Sequence, residues 1–472
     1  MDTAAIGRGD FSRVRAEFGL PDRFPGPVLA EAERAVAGGP RGERVDRTDI
    51  PLVTIDPPGA KDLDQAMHVE RHGDGFRVHY AIADLGAFVE PGGPIDTEVR
   101  RRGQTIYLPD GSVPMHPTAL SEGAASLLPG QTAPSALWTL DLDAAGEPVS
   151  FRVERALVRS TEQFDYESVQ AAVDAGTTHP SVALLPELGE LRRAAAIRRG
   201  ALELQLPEQD VERVDGGWRL LLRGRTRVDA WNAEISLLTG MCAARLMLDA
   251  GIGLLRTLPA ATDDDRAWLR RSAEALGIPW PEGASAAEVL AGLDPASPAA
   301  MALSMDATRL LRGAGYTAFD GAPPELDSHA GIAAPYAHVT APLRRLVDRF
   351  GTEVCLAVCA GVEVPAWVRE ALPALPEAME SSDGLAAKVD RACLDQVEAW
   401  VLADRVGEEF DAVVLRADGD TAEVFVPAPP VLGKADLNRD PEKDAETLEG
   451  RTLRLRLTEA DPATRRIRFA RT

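Results

Sequence analysis

The chain has 472 residues, of which 45% are hydrophobic and 26% charged, and its formal net charge is −23. This is the composition of a soluble globular protein with a sizeable core, its length suggests two to four domains, and no apolar run approaches the ~20 residues a membrane span needs. Taken alone, the acidic balance argues against a nucleic-acid partner, because phosphate binding is normally signalled by a basic surface.

The basic residues are nonetheless unusual. Only Lys61, Lys388, Lys434 and Lys443 are lysines, so 47 of the 51 basic residues are arginines. They cluster at Arg100, Arg101 and Arg102, at Arg344, Arg345 and Arg349, and seven times between Arg451 and Arg471. Arginine forks onto phosphate in a bidentate manner, so a local basic channel inside an acidic shell is compatible with the charge. The N-terminus lacks the apolar segment of a secretory signal. Cys242, Cys355, Cys359 and Cys393 make no CxxC pair, which predicts reduced core cysteines in a cytoplasmic protein.

Along the chain, "DFSRVRAEFG" and "PGPVLAEAERAVAGG" are helix-length runs, the first closed by Gly19 and the second opened by Pro25 and Pro27. Residues 1–48 therefore form a helical N-terminal region, either a helix-turn-helix unit or a lead-in to the next domain. From 51 to about 160 the pattern becomes β. "LVTID" is a buried-strand run, and "QAMHVERH" and "FRVHYAIAD" flank a Gly-Asp-Gly turn, a hairpin signal. "LWTLDLDAAGEPVSFRVERALV" repeats the pattern, with Gly146 suited to a positive φ. Between the hairpins, "PIDTEVRRRG" predicts a helix and "TIYLPDGSVPMHP" an irregular passage. Helices dominate from about 165 to 405, at 186–204, 228–250, 263–275, 298–312, 342–360 and 384–405, interrupted by the hairpin "VERVDGGWRLLL". From about 407, two strand pairs separated by a polar Pro/Asp-rich loop predict a small OB-type barrel.

One stretch carries chemistry. "TIDPPGAKDLDQA" puts Asp56, Asp62 and Asp64 within nine positions, on a loop stiffened by Pro57 and Pro58 and bent by Gly59. Such a loop is either a solvated turn or an oxygen cage for a hard cation such as magnesium. Its spacing does not match an EF-hand.

The stretch "TIDPPGAKDLDQAMHV" resembles the signature T-I-D-x-x-x-x-x-D-h-D-D-A of the RNB catalytic domain of the ribonuclease II and ribonuclease R family, with h apolar. "YAIADLGAFVEPGGPID", "TIYLPDGSVPMHPTALSEGAASLLPG" and "HAGIAAPYAHVTAPLRRLVD" resemble further motifs of that family, in the same order, over roughly residues 45–405. The terminal barrel resembles the family's S-one-type RNA-binding domain. The resemblance implies an α+β fold: an RNB catalytic domain at 49–405, a mixed sheet with surrounding helices, followed by an OB-fold at 406–472. It implies metal-dependent hydrolysis of single-stranded RNA from its 3′ end, releasing nucleoside 5′-monophosphates.

By the same resemblance, Asp56, Asp62 and Asp64 hold magnesium, with manganese as an alternative and Gln65 as a weaker fourth ligand. Asp64 and Arg344 are catalytic, Arg344 against the scissile phosphate. Tyr107, Tyr166, Glu234 and Arg345 contact RNA, with Glu234 accepting from a 2′-hydroxyl. His329 and His338 fall on family positions and receive no role. The expected partner is single-stranded RNA, with no membrane and no organic cofactor, and the protein is expected to be a monomer. Three departures stand out. The family's fourth aspartate is Gln65, its S-P-I-R-R-Y reads A-P-L-R-R-L so that Ala341 and Leu346 replace a hydroxyl and a phenol, and its two N-terminal cold-shock barrels do not fit before residue 50. The rival reading is a catalytically weakened RNA-binding protein of the same fold. A phosphodiesterase acting on small nucleotides suits the terminal barrel less well.

Overall fold

The computed structural model describes residues 7–204, 208–294, 297–437 and 448–472. The chain opens with α1 (Ser12–Glu17) and α2 (Gly26–Gly38), the latter with Pro27 in its first turn, where a missing N–H costs nothing. The two helices pack on different partners. Phe11, just before α1, meets the ring of Trp400 edge-on at 5.4 Å, while α2 lies on α3 (Pro94–Arg102).

The main sheet contains β1 (Val45–Asp46), β2 (Leu52–Ile55), β3 (Gln65–His72) and β4 (Gly75–Ala83), and is completed after a separate small hairpin, β5 (Ile106–Leu108) and β6 (Gly111–Val113), by β7 (Thr132–Leu142) and β8 (Pro148–Phe164). Its order is β1-β8-β2-β3-β4-β7. β8 pairs antiparallel with β7 between Pro148 and Arg159 and parallel with β2 between Ser160 and Phe164. One long strand thus touches both ends of the sheet and bends it back on itself. The β3–β4 turn is Gly73-Asp74, closed by His72 opposite Gly75, and Gly146 takes φ +78 in the β7–β8 turn, the conformation glycine adopts without a Cβ clash.

The helical half holds α4 (Tyr166–Ala175), α5 (Leu185–Arg199), the hairpin β9 (Glu208–Val214) and β10 (Gly217–Arg223), α6 (Arg227–Ala250), β11 (Ile252–Thr257), α7 (Asp263–Ala275), α8 (Ala286–Ala291), α9 (Pro298–Ala307), β12 (Gly315–Asp320), α10 (Leu346–Ala360), α11 (Ala366–Ala371) and α12 (Leu375–Leu402). Thr226 and Asp229 close a reciprocal capping box on α6. α10 lies on β8 and against α6, and the core between sheet and helices buries Trp138, Tyr80 and Trp231 completely or nearly so. The strands β13 (Glu409–Asp418), β14 (Thr421–Pro427), β15 (Pro430–Asp436), β16 (Thr452–Asp461) and β17 (Arg466–Arg471) close into a barrel in the order β13-β14-β15-β17-β16. The fold is therefore α+β with a mixed sheet and a terminal five-stranded barrel.

A second core joins this barrel to the rest. Val389, Cys393, Val397 and Val401 on one stripe of α12 pack with Phe410, Val424, Leu455 and Phe469 of the barrel, and with Ile106, Leu108 and Val113 of β5 and β6. Cys242, Cys355 and Cys393 are buried, Cys359 is partly so, and all four thiols are free.

Several elements depart from the sequence expectation. The passage 105–117 contains the β5–β6 hairpin, because Ile106 and Leu108 bury against α12 and Gly111 permits the return. β11 and β12 pair across about 60 positions, a separation that local periodicity does not register. β15 occupies part of the predicted loop, held by β14 on one side and β17 on the other. Residues 438–447, also in that loop, lie outside the described residues. The helix predicted from 342 begins at Leu346, because Arg345 is extended at φ −140°, ψ 125°, and Pro342 sits in the turn before it. α12 begins at Leu375, nine positions before its predicted start. Burial of Leu375, Met379 and Ser382 outweighs the weak helix propensity of the Ser-Ser-Asp-Gly run.

Candidate active site

The acidic loop is pinned along its length. Asp56 follows β2, and its N–H donates to Phe164 O at 3.0 Å. Gln163 Nε2 donates to Ala60 O at 2.9 Å. Ser126 Oγ donates to Lys61 O at 2.6 Å and accepts from Leu63 N at 3.0 Å, and Ala83 N donates to Asp64 O at 2.9 Å. Between these ties Gly59 turns the chain at φ +82. The loop is thus anchored to β8, to β4 and to the segment around Ser126, and its carboxylates are aimed rather than free.

The segment carrying Arg344 arrives from far along the chain. Leu343 N donates to Asp64 Oδ1 at 2.7 Å, and Arg344 Nε lies 3.7 Å from Asp64 Oδ2. Asp64 is almost wholly buried, whereas the Arg344 side chain is half exposed. Thr105 N donates to Arg344 O at 2.9 Å and Leu346 N to Gly103 O at 2.9 Å, which sets the start of β5 beside this segment. His116 Nδ1 lies 3.1 Å from Leu343 O; a carbonyl only accepts, so Nδ1 carries the proton. In β5 the residues alternate. Ile106 and Leu108 point into the α12 core and Tyr107 points out, 51% exposed. Tyr107 OH donates to Asp62 Oδ2 at 2.9 Å. Tyr107, Arg344, Arg345, Ala386 and Asp390 line a groove of about 320 Å³.

The electrostatics follow from this crowding. Burial pushes the Asp56 carboxyl up to about 7; the neighbouring Thr54 hydroxyl opposes the push, the charge of Asp62 adds to it and Arg344 opposes it. Burial raises Asp64 well above the usual carboxylate range, again against Arg344. Asp56 Oδ2 is buried without a hydrogen-bond partner. Among the described residues, no three His, Cys, Asp or Glu side chains are gathered as tightly as a bound ion would hold them. A buried carboxylate oxygen of Asp56, with Asp62 repelling both Asp56 and Asp64, is nonetheless a donor set suited to a hard divalent cation.

The other sequence candidates fall into two groups. Tyr166 opens α4 near Asp56, whose charge raises its hydroxyl pKa after burial does, and Asn232 Nδ2 donates to its oxygen at 3.3 Å. Glu234, also on α6, is buried with Oε2 unpartnered; burial raises its pKa and its nearest opposing charges are Arg192 and Arg199. Gln65 and Arg345 are committed within the protein. The Gln65 amide nitrogen donates to Thr340 O, and Arg345 Nη2 donates to Asp348 Oδ1 at 2.8 Å. Sequence reasoning missed Asp348, which is fully buried and accepts from Ala341 N at 2.7 Å. Its signal was present in "PLRRLVD", an acid three positions after an arginine. Ala341 and Leu346, which lack the family's hydroxyl and phenol, are buried and apolar.

Residues 44–351 match the RNB domain model. The chain belongs to the RNB family. Residues 408–472 match the RNase II-type exonuclease C-terminal S1 domain, so the terminal barrel of this RNB protein is of that type. Similar proteins include ribonuclease R of Escherichia coli, 30% identical over 67% of this chain and 40% of its own, and ribonuclease R of Acidithiobacillus ferrooxidans, 36% identical over 39% of this chain and 45% of its own. The chain spans about half the length of the curated relatives it matches. Among solved structures, the apo form of Mycoplasma genitalium RNase R superposes with a TM-score of 0.86 over 97% of this chain and 77% of that one, at 19% identity. Yeast Ssd1, described as a pseudonuclease, superposes at 0.71 over 84% of this chain and 52% of its own, at 17% identity. No helix among the described residues is long and apolar enough to cross a membrane.

Proposed function

We propose that this RNB protein is a metal-dependent 3′-to-5′ exoribonuclease that hydrolyses single-stranded RNA to nucleoside 5′-monophosphates. The observation that carries the reading is the pairing of a buried Asp64, fixed by Leu343 N–H, with a half-exposed Arg344 at a groove edged by Tyr107. Arg344 faces solvent on a segment held from both sides, so its charge is available to a phosphate while its position is set in advance. Such a donor stabilises charge as it develops on the phosphate oxygens and costs no reorganisation during the reaction. Tyr107 offers its ring face as a stacking platform that tolerates any base. Tyr166 and Glu234 would contact the terminal nucleotides.

Asp56, Asp62 and Asp64 would hold magnesium, with manganese as an alternative, and a bound ion would supply Lewis-acid stabilisation of the phosphate oxygens. The repulsion of Asp62 on both Asp56 and Asp64, and the buried Asp56 oxygen, support that assignment. Mycoplasma genitalium RNase R has been solved in complex with ribose-methylated single-stranded RNA, and single-stranded RNA is the partner proposed here. We read the protein as a cytoplasmic monomer, built as a helical lead-in over residues 1–48, a catalytic unit to 405 and an RNA-binding barrel beyond.

The second reading is an RNA-binding protein without turnover, favoured by Gln65 in place of an acid. Incubating uniformly labelled single-stranded RNA with the protein and magnesium or manganese separates the two. Accumulating mononucleotides support the nuclease; a shifted band with intact RNA supports the binder.

A further inference from the structure

Five ties hold the backbone of the short segment that presents Arg344, and three of them come from side chains. Gln65 at the head of β3 donates its amide N–H to Thr340 O. Asp348, fully buried in the first turn of α10, accepts from Ala341 N at 2.7 Å and from Arg345 Nη2 at 2.8 Å. Asp64 accepts from Leu343 N at 2.7 Å. The backbone contacts of Thr105 with Arg344 O and of Gly103 with Leu346 N hold the far side. The chain is therefore tied at 340, 341, 343, 344 and 346, and Arg344 is the one position in that run whose side chain is left half exposed toward the groove.

We propose that Gln65 is a positioning residue that, together with Asp348, fixes the Arg344 segment, and that it is not a fourth metal ligand. The argument is one of donor and acceptor. Thr340 O only accepts, so the Gln65 atom facing it must be the nitrogen. A carboxylate at 65 has no N–H and would repel that carbonyl, so a glutamine there exchanges an anionic oxygen for a tie between β3 and the arginine segment. The same logic gives Arg345 its role. Its guanidinium is committed to Asp348, whose other bond holds Ala341 N, so Arg345 and Asp348 act as a clamp on the segment and Arg345 is not a phosphate contact. The inference deepens the nuclease reading and rests on it for its kinetic arm.

The test uses the full chain as Gln65→Ala, Gln65→Asp and Asp348→Asn. Manganese binding, followed by loss of the free-ion electron paramagnetic resonance signal, is read without RNA. Amide hydrogen exchange of the peptide covering 340–346 is read in the same samples. If Gln65 positions, Gln65→Ala binds manganese within about twofold of the parent, its 340–346 amides exchange faster, and kcat on labelled single-stranded RNA at saturating metal falls about 10- to 100-fold with KM little changed, the scale expected for a misplaced catalytic group. Gln65→Asp does not restore kcat, and Asp348→Asn shows the same kcat-against-KM pattern. The proposal is overturned if Gln65→Ala weakens manganese at least tenfold and retains parental kcat once metal is saturating, or if exchange at 340–346 is unchanged. Gln65 is only half-buried, so Gln65→Ala decides the matter alone should Asp348→Asn, at a fully buried carboxylate, not fold. A parent protein that leaves RNA whole defeats the nuclease reading, while the manganese and exchange arms still decide whether Gln65 is a ligand or a tie.

Discussion

Leu343 gives its backbone N–H to Asp64 across 279 positions of sequence, at 2.7 Å and out of contact with water. This bond orients the most buried acid of the loop and also docks the segment bearing Arg344. Asp64→Asn keeps an oxygen to accept from Leu343 but removes the charge that faces Arg344 and that the proposed cation would need. The expected outcome is a fall in RNA hydrolysis of about 10³-fold or more with RNA affinity retained. Single-turnover hydrolysis and filter binding on one preparation check it, and unchanged turnover would remove Asp64 from the machinery.

Arg344→Ala deletes a half-exposed side chain whose ion pair within the protein is a single 3.7 Å contact. Stability should stay close to that of the parent, since the contact is long and the guanidinium half exposed, and Asp64, whose pKa Arg344 holds down against burial, can take up a proton in its absence. The rate should fall about 10²–10³-fold, the cost of losing one preorganised donor at developing charge. A thermal melt beside a kcat measurement separates the two effects. Loss of fold would point to a structural role instead.

Tyr107 supplies a ring face and a hydroxyl, and these can be separated. Tyr107→Phe loses only the bond to Asp62 and should bind RNA nearly as well as the parent. Tyr107→Ala loses the stacking platform, worth ~1–3 kcal/mol, or roughly 5- to 150-fold in affinity. Fluorescence anisotropy with a labelled oligoribonucleotide in the absence of divalent ions measures both. Equal affinities for the two variants would exclude stacking at this position.

His116 links the site to acid stability. Burial pushes its imidazole down to about 3, against the bond to Leu343. The unfolded chain takes up a proton near pH 6.5, so between about 6.5 and 3 it binds a proton that the folded state refuses. By linkage this group removes stability as pH falls through that window and has no effect above it. His116→Asn, whose amide nitrogen can still reach Leu343 O, should flatten the decline. Urea midpoints at pH 7, 6, 5 and 4 test this, and parallel curves for the two proteins would contradict it.

The barrel arginines should add less to RNA binding than their number suggests. Arg454 pairs with Glu409 and Asp411, Arg456 with Glu409, Arg466 and Arg468 with Glu459, and Arg465 with Glu17. A paired arginine displaces fewer counterions when it meets phosphate. Deleting residues 407–472 would also expose the apolar stripe of α12, so point substitutions are the cleaner probe. Arg454→Gln with Arg456→Gln should change the slope of log affinity against log salt by less than one unit per arginine. A change of two units or more would mean that these side chains leave their partners for RNA.

Much of the architecture was legible from short-range pattern. The Gly-Asp turn and its flanking alternation predicted β3 and β4 nearly to the residue, and the helix predicted at 228–250 begins one residue earlier, at Arg227, where Thr226 and Asp229 close its capping box. β11, β12 and β15 escaped because each is short and earns its place through distant partners. Within the site, the close spacing of Asp56, Asp62 and Asp64 was visible in the sequence. The commitment of Gln65 to Thr340, 275 positions away, was not, whereas that of Arg345 to Asp348 lay three positions apart and was overlooked.

By itself the sequence determined residue chemistry and local geometry: three acids on a stiffened loop, an arginine pair, an outward tyrosine between two apolar neighbours, and strands and helices whose periods are written over a few turns. Only the tertiary structure decided which of those groups are free. Whether an arginine faces a groove or a buried aspartate, and whether an amide faces an ion or a carbonyl, depends on chain segments hundreds of residues apart being packed into one place. No local pattern carries that information, because it is the burial of the whole core that brings those segments together.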